Sequence, residues 1–307
     1  MAEKELLREE KESSDGGSSP QDSSQKSEKS SSLEDFSEKI DELREQMMSS
    51  LTEIEKDVLS VAEEILKLKR FDSKIEAERI ETVSPMVDEI YQKSKAKFKH
   101  YKGYEDESIF QAIKSLEDKK WIITGQRVTK DEVLSNPIKK EILSFIEKYP
   151  GIHARDDKIQ EFLHITRNPF IKHMASLEAF ELVRSSKIGA TLNYFPADLP
   201  EVFDDLCVLF QNEIVVNIIK MYIEDSRVTL MEMAEEIGVY HRAIQYHIKA
   251  LKKHNILIKI PADEVKLRPG EKLDRRRKYY KINDSLLLRY NKLFKIPPFT
   301  DWFEQTE

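Results

Sequence analysis

Near the end of the chain, His241, Arg242, Gln245, Lys249, Lys252 and Lys253 recur at helical spacing, with Tyr246 among them. Val239, Ala243, Ile244, Ile248 and Leu251 fall on the opposite stripe, so the segment reads as an amphipathic helix with a cationic outer face. Arg242 and Gln245, in its N-terminal half, are side chains that reach guanine and adenine edges in two-pronged fashion. Lys249, Lys252 and Lys253 are point charges suited to phosphates, which position a duplex without specifying its sequence. A second basic run, Arg275, Arg276, Arg277 and Lys278, closes a polar excursion of the chain. Such a run follows phosphates or enters a narrow minor groove when a loop presents it, and is otherwise a solvated stretch.

Other reactive residue types lack the company that chemistry requires. His173 and His247 stand at the border of apolar stripes, and neither has an Asp, His or Cys at metal-ligand spacing. Both read as packing residues that hydrogen-bond to a neighbouring helix. Asp156 and Asp157 read as first-turn helix charge. Cys207 is the single cysteine, so neither an internal disulfide nor a cysteine-based zinc site is expected. No Ser–His–acid or Cys–His arrangement and no glycine-rich phosphate loop stands out. The expectation is a non-enzyme with no cofactor and no bound metal.

The overall charge of −7 over 307 residues argues against an acidic partner, but the charge is segregated. Residues 28–66 hold 12 acidic and 4 basic side chains, whereas residues 239–282 hold 13 basic and 4 acidic. An electrostatic footprint belongs to one face, not to a total. The composition, 39% hydrophobic and 35% charged, suits small surface-rich domains. No run approaches the roughly 20 apolar residues of a membrane span, and the charged start of the chain does not resemble a signal peptide. A cytoplasmic setting without membrane contact is expected.

The elements that must hold these residues follow from periodicity. Residues 1–35, rich in Ser and charge, read as a disordered tail. Residues 36–134 read as an acidic helical region. One helix is predicted over 36–68, a second over 85–98 and a third over 107–120, followed by a hairpin from Trp121–Ile123 and Arg127–Val128. That order would make the region a divergent winged helix. In 135–199, helices are predicted over 137–149, 154–162 and 166–180, and a hairpin over 182–195. In 200–296 the order repeats. A helix spans 202–224, and a capping box at Thr229 and Glu232 starts the next, which ends at Gly238. A third helix covers 240–255. Strands at 256–260 and 278–282 flank the basic excursion, and a closing helix covers 286–294. A tail, 297–307, completes the chain.

Two stretches align without a gap: Leu163 to Leu177, and Ile237 to Leu251. Both read apolar, turn, apolar, four polar or small, apolar, two variable, His, apolar, two variable, Leu. Tyr246-His247-Ile248 to Leu251, and Lys172-His173-Met174 to Leu177, resemble the ending of the recognition helix in winged helix-turn-helix transcriptional regulators of the ArsR and MarR type. The resemblance is greatest to the tandem two-module regulators of archaea, and it covers about residues 136–294. It implies a mainly α fold with small β-hairpins (α+β), arranged as tandem winged-helix domains behind the tail and the acidic helical region. It also implies that Arg167, Asn168 and Lys172 occupy recognition positions in the earlier copy. Two departures stand out. Tyr240 replaces the usual Ser or Thr cap, and His164 replaces the turn glycine. The outer face of the earlier copy, Arg167, Asn168, Ile171, Lys172, Ala175 and Ser176, is less basic and carries an apolar residue.

The expected function is sequence-specific binding of double-stranded DNA in transcription regulation, through the recognition helix and basic wing. A homodimer or a protein partner would be held by the N-terminal helical region. The competing expectation is an assembly subunit, since tandem winged helices also serve as protein-binding blocks in ESCRT-II and in general transcription factors or polymerase subunits. The basic last module discriminates between them, because a protein-binding block does not require it.

Overall fold

The computed structural model describes residues 38–71, 85–261, 264–265 and 278–288. The tail 1–35, Arg275, Arg276 and Arg277, the end of the predicted closing helix and residues 297–307 lie outside them. The described chain is mostly helical, with one three-stranded and one two-stranded antiparallel sheet.

The N-terminal region begins with α1 (38–49) and α2 (Glu53–Phe71). The single helix predicted over 36–68 is therefore broken at 50–52. The cause is a reciprocal cap. The Thr52 N–H donates to Glu55 Oε2 at 2.7 Å, and the Glu55 N–H donates to Thr52 Oγ1 at 3.3 Å, which starts a new helix. Next come α3 (Pro85–Phe98) and α4 (Asp106–Asp118), and α2, α3 and α4 pack around Val58, Ile65, Ile90 and Ile113. Glu55 is buried and also accepts from Ser115 Oγ at 2.5 Å and Lys119 Nζ at 2.7 Å, pinning the start of α2 to the end of α4.

The hairpin predicted from Trp121–Ile123 and Arg127–Val128 does not form; residues 121–129 are turns and bends. Trp121 and Ile122 are buried in the three-helix core instead. The Trp121 N–H donates to Leu116 O, and Trp121 O accepts from the Lys130 N–H at 3.0 Å, so the helix end and the next element satisfy its backbone without a second strand. That next element, α5 (Lys130–Leu134), starts at a capping box of Thr129 and Glu132. Arg44 of α1 holds Asp131 of α5 through two hydrogen bonds, 2.7 and 2.9 Å, and Ile40 of α1 is buried in the following core.

The middle unit contains α6 (Pro137–Lys148), β1 (Ile152–His153), α7 (Asp157–Leu163), α8 (Arg167–Ala179), β2 (Val183–Ile188) and β3 (Thr191–Pro196). Asn136 caps α6 by accepting from the Lys139 N–H, and Asp156 caps α7 by accepting from the Lys158 N–H. His164 sits in the left-handed turn between α7 and α8 with φ 52°, where the sequence required a non-glycine residue to accept it. The sheet order is β1-β3-β2. At two residues, β1 is too short for alternation to reveal in the sequence. Ile142, Phe145, Phe170, Met174, Leu177 and Tyr194 form the core.

The last unit opens with a 3-10 turn at Glu201–Phe203 and then α9 (Asp204–Phe210) and α10 (Glu213–Glu224), which bend by 85°. The continuous helix predicted over 202–224 is thus two. Asn212 restarts it, its Oδ1 accepting from the Ile214 N–H at 3.0 Å. The bend lets Leu206, Cys207 and Phe210 reach the same core as Val215, Ile218 and Ile219. Then follow α11 (Leu230–Ile237), α12 (His241–Lys253), β4 (Leu257–Ile260), β5 (Tyr279–Ile282) and a helical turn over 284–288.

Candidate nucleic-acid interface

The candidate surface rests on the turn between α11 and α12. Thr229 and Glu232 form the predicted capping box, with hydrogen bonds of 2.6 and 3.1 Å, and set the start of α11. Gly238 ends it in the left-handed region at φ 73°, a conformation that favours glycine, and lets the chain turn straight into α12. Met233, Ile244, Ile248 and Leu251 are buried together against α10, which fixes how α12 is rotated. With the apolar stripe held inward, the opposite stripe must face out.

His241, Arg242, Gln245, Tyr246, Lys249, Lys252 and Lys253 are all exposed. Tyr240, at the N-cap position, makes no side-chain cap and is 88% exposed, so an aromatic ring stands free at the leading end of the helix. Lys252 differs from its neighbours. Its Nζ donates to Tyr280 Oη at 3.2 Å and lies 5.0 Å from the centre of that ring, tying α12 to β5. Lys278 is exposed at the start of β5, and Arg275, Arg276 and Arg277 fall outside the described residues. Lys259 and Lys281 are also exposed on the β4–β5 hairpin. Sequence reasoning did not single them out, because alternation over two strands of four residues is a weak signal.

Arg242, Lys249 and Lys253 have no carboxylate partner among the described residues, and this is informative beside a second cationic cluster. Around the end of α3, Lys93, Lys95, Lys97 and Lys102 pair with Glu89, Asp106, Glu64 and Asp57. The Lys93 pair lies within α3, while Lys95, Lys97 and Lys102 tie α3 and the turn after it to α4 and α2. Among the described residues, Arg242, Lys249 and Lys253 of α12 are left unneutralised.

Arg167, Asn168 and Lys172 stand exposed on α8, a different helix in a different unit, so the structure does not join them to the α12 set. Ile171, predicted to be exposed on that face, is half-buried. Ser176 accepts from Lys139 Nζ at 2.9 Å and so faces α6. The expected cross-helix hydrogen bond from His247 is not made at Nδ1, which is buried and unpartnered among the described residues. Burial holds the His247 imidazole below its ordinary pKa, and burial with the nearby Lys139 does the same for His173.

Among the described residues, no three His, Cys, Asp or Glu side chains converge as a metal site, and no single helix is long and apolar enough to cross a membrane. Cys207 is buried at the α9 core, and burial beside Asp204 pushes its thiol up to about 12, so it is no nucleophile in the folded chain.

No protein-family profile matches the chain, and no solved structure does. Over 157 residues, 51% of the chain, it is 27% identical to an uncharacterized HTH-type transcriptional regulator of Methanocaldococcus jannaschii. The chain spans about a third (36%) of that relative's length. This likeness supports a helix-turn-helix regulator in general.

Proposed function

We propose that the chain is a sequence-specific, double-stranded-DNA-binding transcription regulator whose middle and last units are tandem winged-helix domains. The observation that carries this is the outer face of α12, where Arg242, Gln245 and Lys249 are exposed, at helical spacing and without acidic partners among the described residues. At about 1.5 Å per residue, a helix of this length spans roughly 20 Å and fits a major groove about 12 Å wide. Arg242 and Gln245 read base edges from its N-terminal half. Lys249, Lys253, Lys259, Lys278 and Lys281 neutralise phosphates from its C-terminal half and the hairpin. The relative's description as a transcriptional regulator agrees. A homodimer or protein partner is assigned to the N-terminal helical region, where Leu68 and Phe110 are exposed.

The test is a gel-shift titration of a duplex selected from a random pool. Arg242→Ala with Lys249→Ala should weaken binding at least about tenfold, in line with the loss of one base contact and one phosphate contact. Unchanged affinity in that double variant defeats the reading.

A further inference from the structure

The β2–β3 hairpin of the middle unit occupies the place of a wing, yet it is covered on both faces at its base. Side chains alternate across a strand. Tyr194 therefore points into the core of the middle unit, while Phe195, fully buried, belongs to the core of the last unit. Arg184 is paired with Phe195 across the hairpin and shares its face. Its guanidinium lies 4.8 Å from the centre of the Phe195 ring, holds the Asp204 carboxylate at the start of α9, and donates to Leu199 O at 2.7 and 3.1 Å. Ile188, further along that face and near the hairpin tip, packs against the same last-unit core. The joint continues at β1, where a Cβ on Gly151 would stand 2.9 Å from Val208 N, and Gln211 Nε2 donates to Pro150 O at 3.0 Å.

The β4–β5 hairpin is different. Leu257 and Ile282 face the core of the last unit, while Ile258, Lys259 and Lys281 remain exposed. Its surface carries three exposed lysines, counting Lys278; the β2–β3 hairpin exposes a single cation, Lys187.

Building on the proposed function, we infer that each chain carries a single duplex-reading surface, α12 with β4–β5, and that the middle unit is its mount. The base of the middle hairpin is taken up by the joint, and Lys187 is the one cation the hairpin leaves exposed to a duplex. With that single cation, the Arg167–Lys172 face of α8 has no basic wing to complete a groove contact. One chain then covers one half-site, about 10 base pairs, and an inverted repeat takes two chains.

The experiment compares the full chain with Arg167→Gln/Lys172→Gln and with Arg242→Gln/Lys249→Gln. Fluorescence anisotropy would follow a labelled mixed-sequence duplex of about 30 base pairs between about 50 and 200 mM salt. All four substituted positions are on exposed helix faces, and thermal melts check that folding is retained. The α12 variant should bind at least about tenfold more weakly, with a log–log salt slope reduced by up to about two. The α8 variant should match the unmodified chain in both affinity and slope. If the α8 variant loses affinity and slope as the α12 variant does, the single-reader inference is overturned while the proposed function stands. If the unmodified chain shows no salt-dependent duplex binding, the proposed function falls and the inference with it.

Discussion

The Arg184 guanidinium grips the Asp204 carboxylate in a two-pronged pair, Nη1 to Oδ2 at 2.8 Å and Nη2 to Oδ1 at 2.5 Å, and this pair fastens the middle sheet to α9 of the last unit. Twenty residues separate the two, so the contact closes a short loop of chain onto a sheet face. Both side chains are mostly buried, at 20% and 9% exposure, which raises the cost of leaving either one unpaired. We predict that Asp204→Ala costs about 2–4 kcal/mol in urea unfolding, chiefly because a mostly buried guanidinium loses its counter-charge. The double replacement Arg184→Met/Asp204→Leu should cost much less. A loss below about 1 kcal/mol for Asp204→Ala would mean that the joint is held by Phe195 and its neighbours without help from the pair.

Gly151 is required twice over, by a φ of 87° and by the approach of α9. Any Cβ there meets the backbone of Val208, which cannot swing away as a side-chain tip can. Gly151→Ala should destabilise the chain by about 1–3 kcal/mol. It should also raise the reactivity of buried Cys207 toward a thiol reagent under native conditions, since Cys207 lies at the same contact. A variant with native stability and an inert thiol would show that the two units separate without strain.

Glu55 links pH to the N-terminal helices. Burial opposes its charge, but hydrogen bonds from Lys119, Ser115 and Thr52 outweigh burial and bring its pKa down from 4.5 to about 2. A carboxyl with a depressed folded pKa stabilises the fold above its unfolded value, and that contribution is lost as pH falls toward the folded one. The N-terminal region should therefore lose stability between about pH 4.5 and 2, followed by circular dichroism. Glu55→Gln should flatten this limb while costing about 1–3 kcal/mol at neutral pH. An acid limb unaltered in Glu55→Gln would assign it to other carboxylates.

His173, His247 and His254 act in a higher window. Burial lowers all three below the ordinary 6.5. Between the folded and unfolded pKa values the unfolded chain binds more protons, so stability falls as pH drops below about 6.5. The melting temperature should be lower at about pH 5.5 than at about pH 7.5. His247→Gln should reduce the difference, and a difference unchanged in that variant would remove His247 from this window.

The repeat from Leu163 to Leu177 and Ile237 to Leu251, the Thr229–Glu232 cap and the Gly238 turn were legible in the sequence, because each is local chemistry within a few residues. The exposure of Arg242, Gln245 and Lys249 followed from the same periodicity, since burying Ile244, Ile248 and Leu251 leaves the opposite stripe no other direction. The breaks at 50–52 and 211–212 were not read. Both helical patterns run on through them, and a cap at Thr52 or Asn212 competes with helix continuation on nearly equal terms until the packing decides. The Trp121–Ile123 stretch looked like a strand because short apolar runs suit strands and buried helix ends alike.

By itself, then, the sequence determined which faces are apolar, where the capped turn from α11 into α12 lies, and which stretch carries unbalanced positive charge. Those properties are fixed by residues close together in the chain. Tertiary structure decided which cations are already neutralised, as Lys95, Lys97 and Lys102 at the end of α3 and just beyond it are by Asp106, Glu64 and Asp57. It also decided that the two hairpins have different fates. Phe195 and Tyr194 are adjacent apolar residues in the sequence, and only the docking of α9 sends one into each core. Burial of a sheet's second face depends on what folds against it, and no local spacing encodes that.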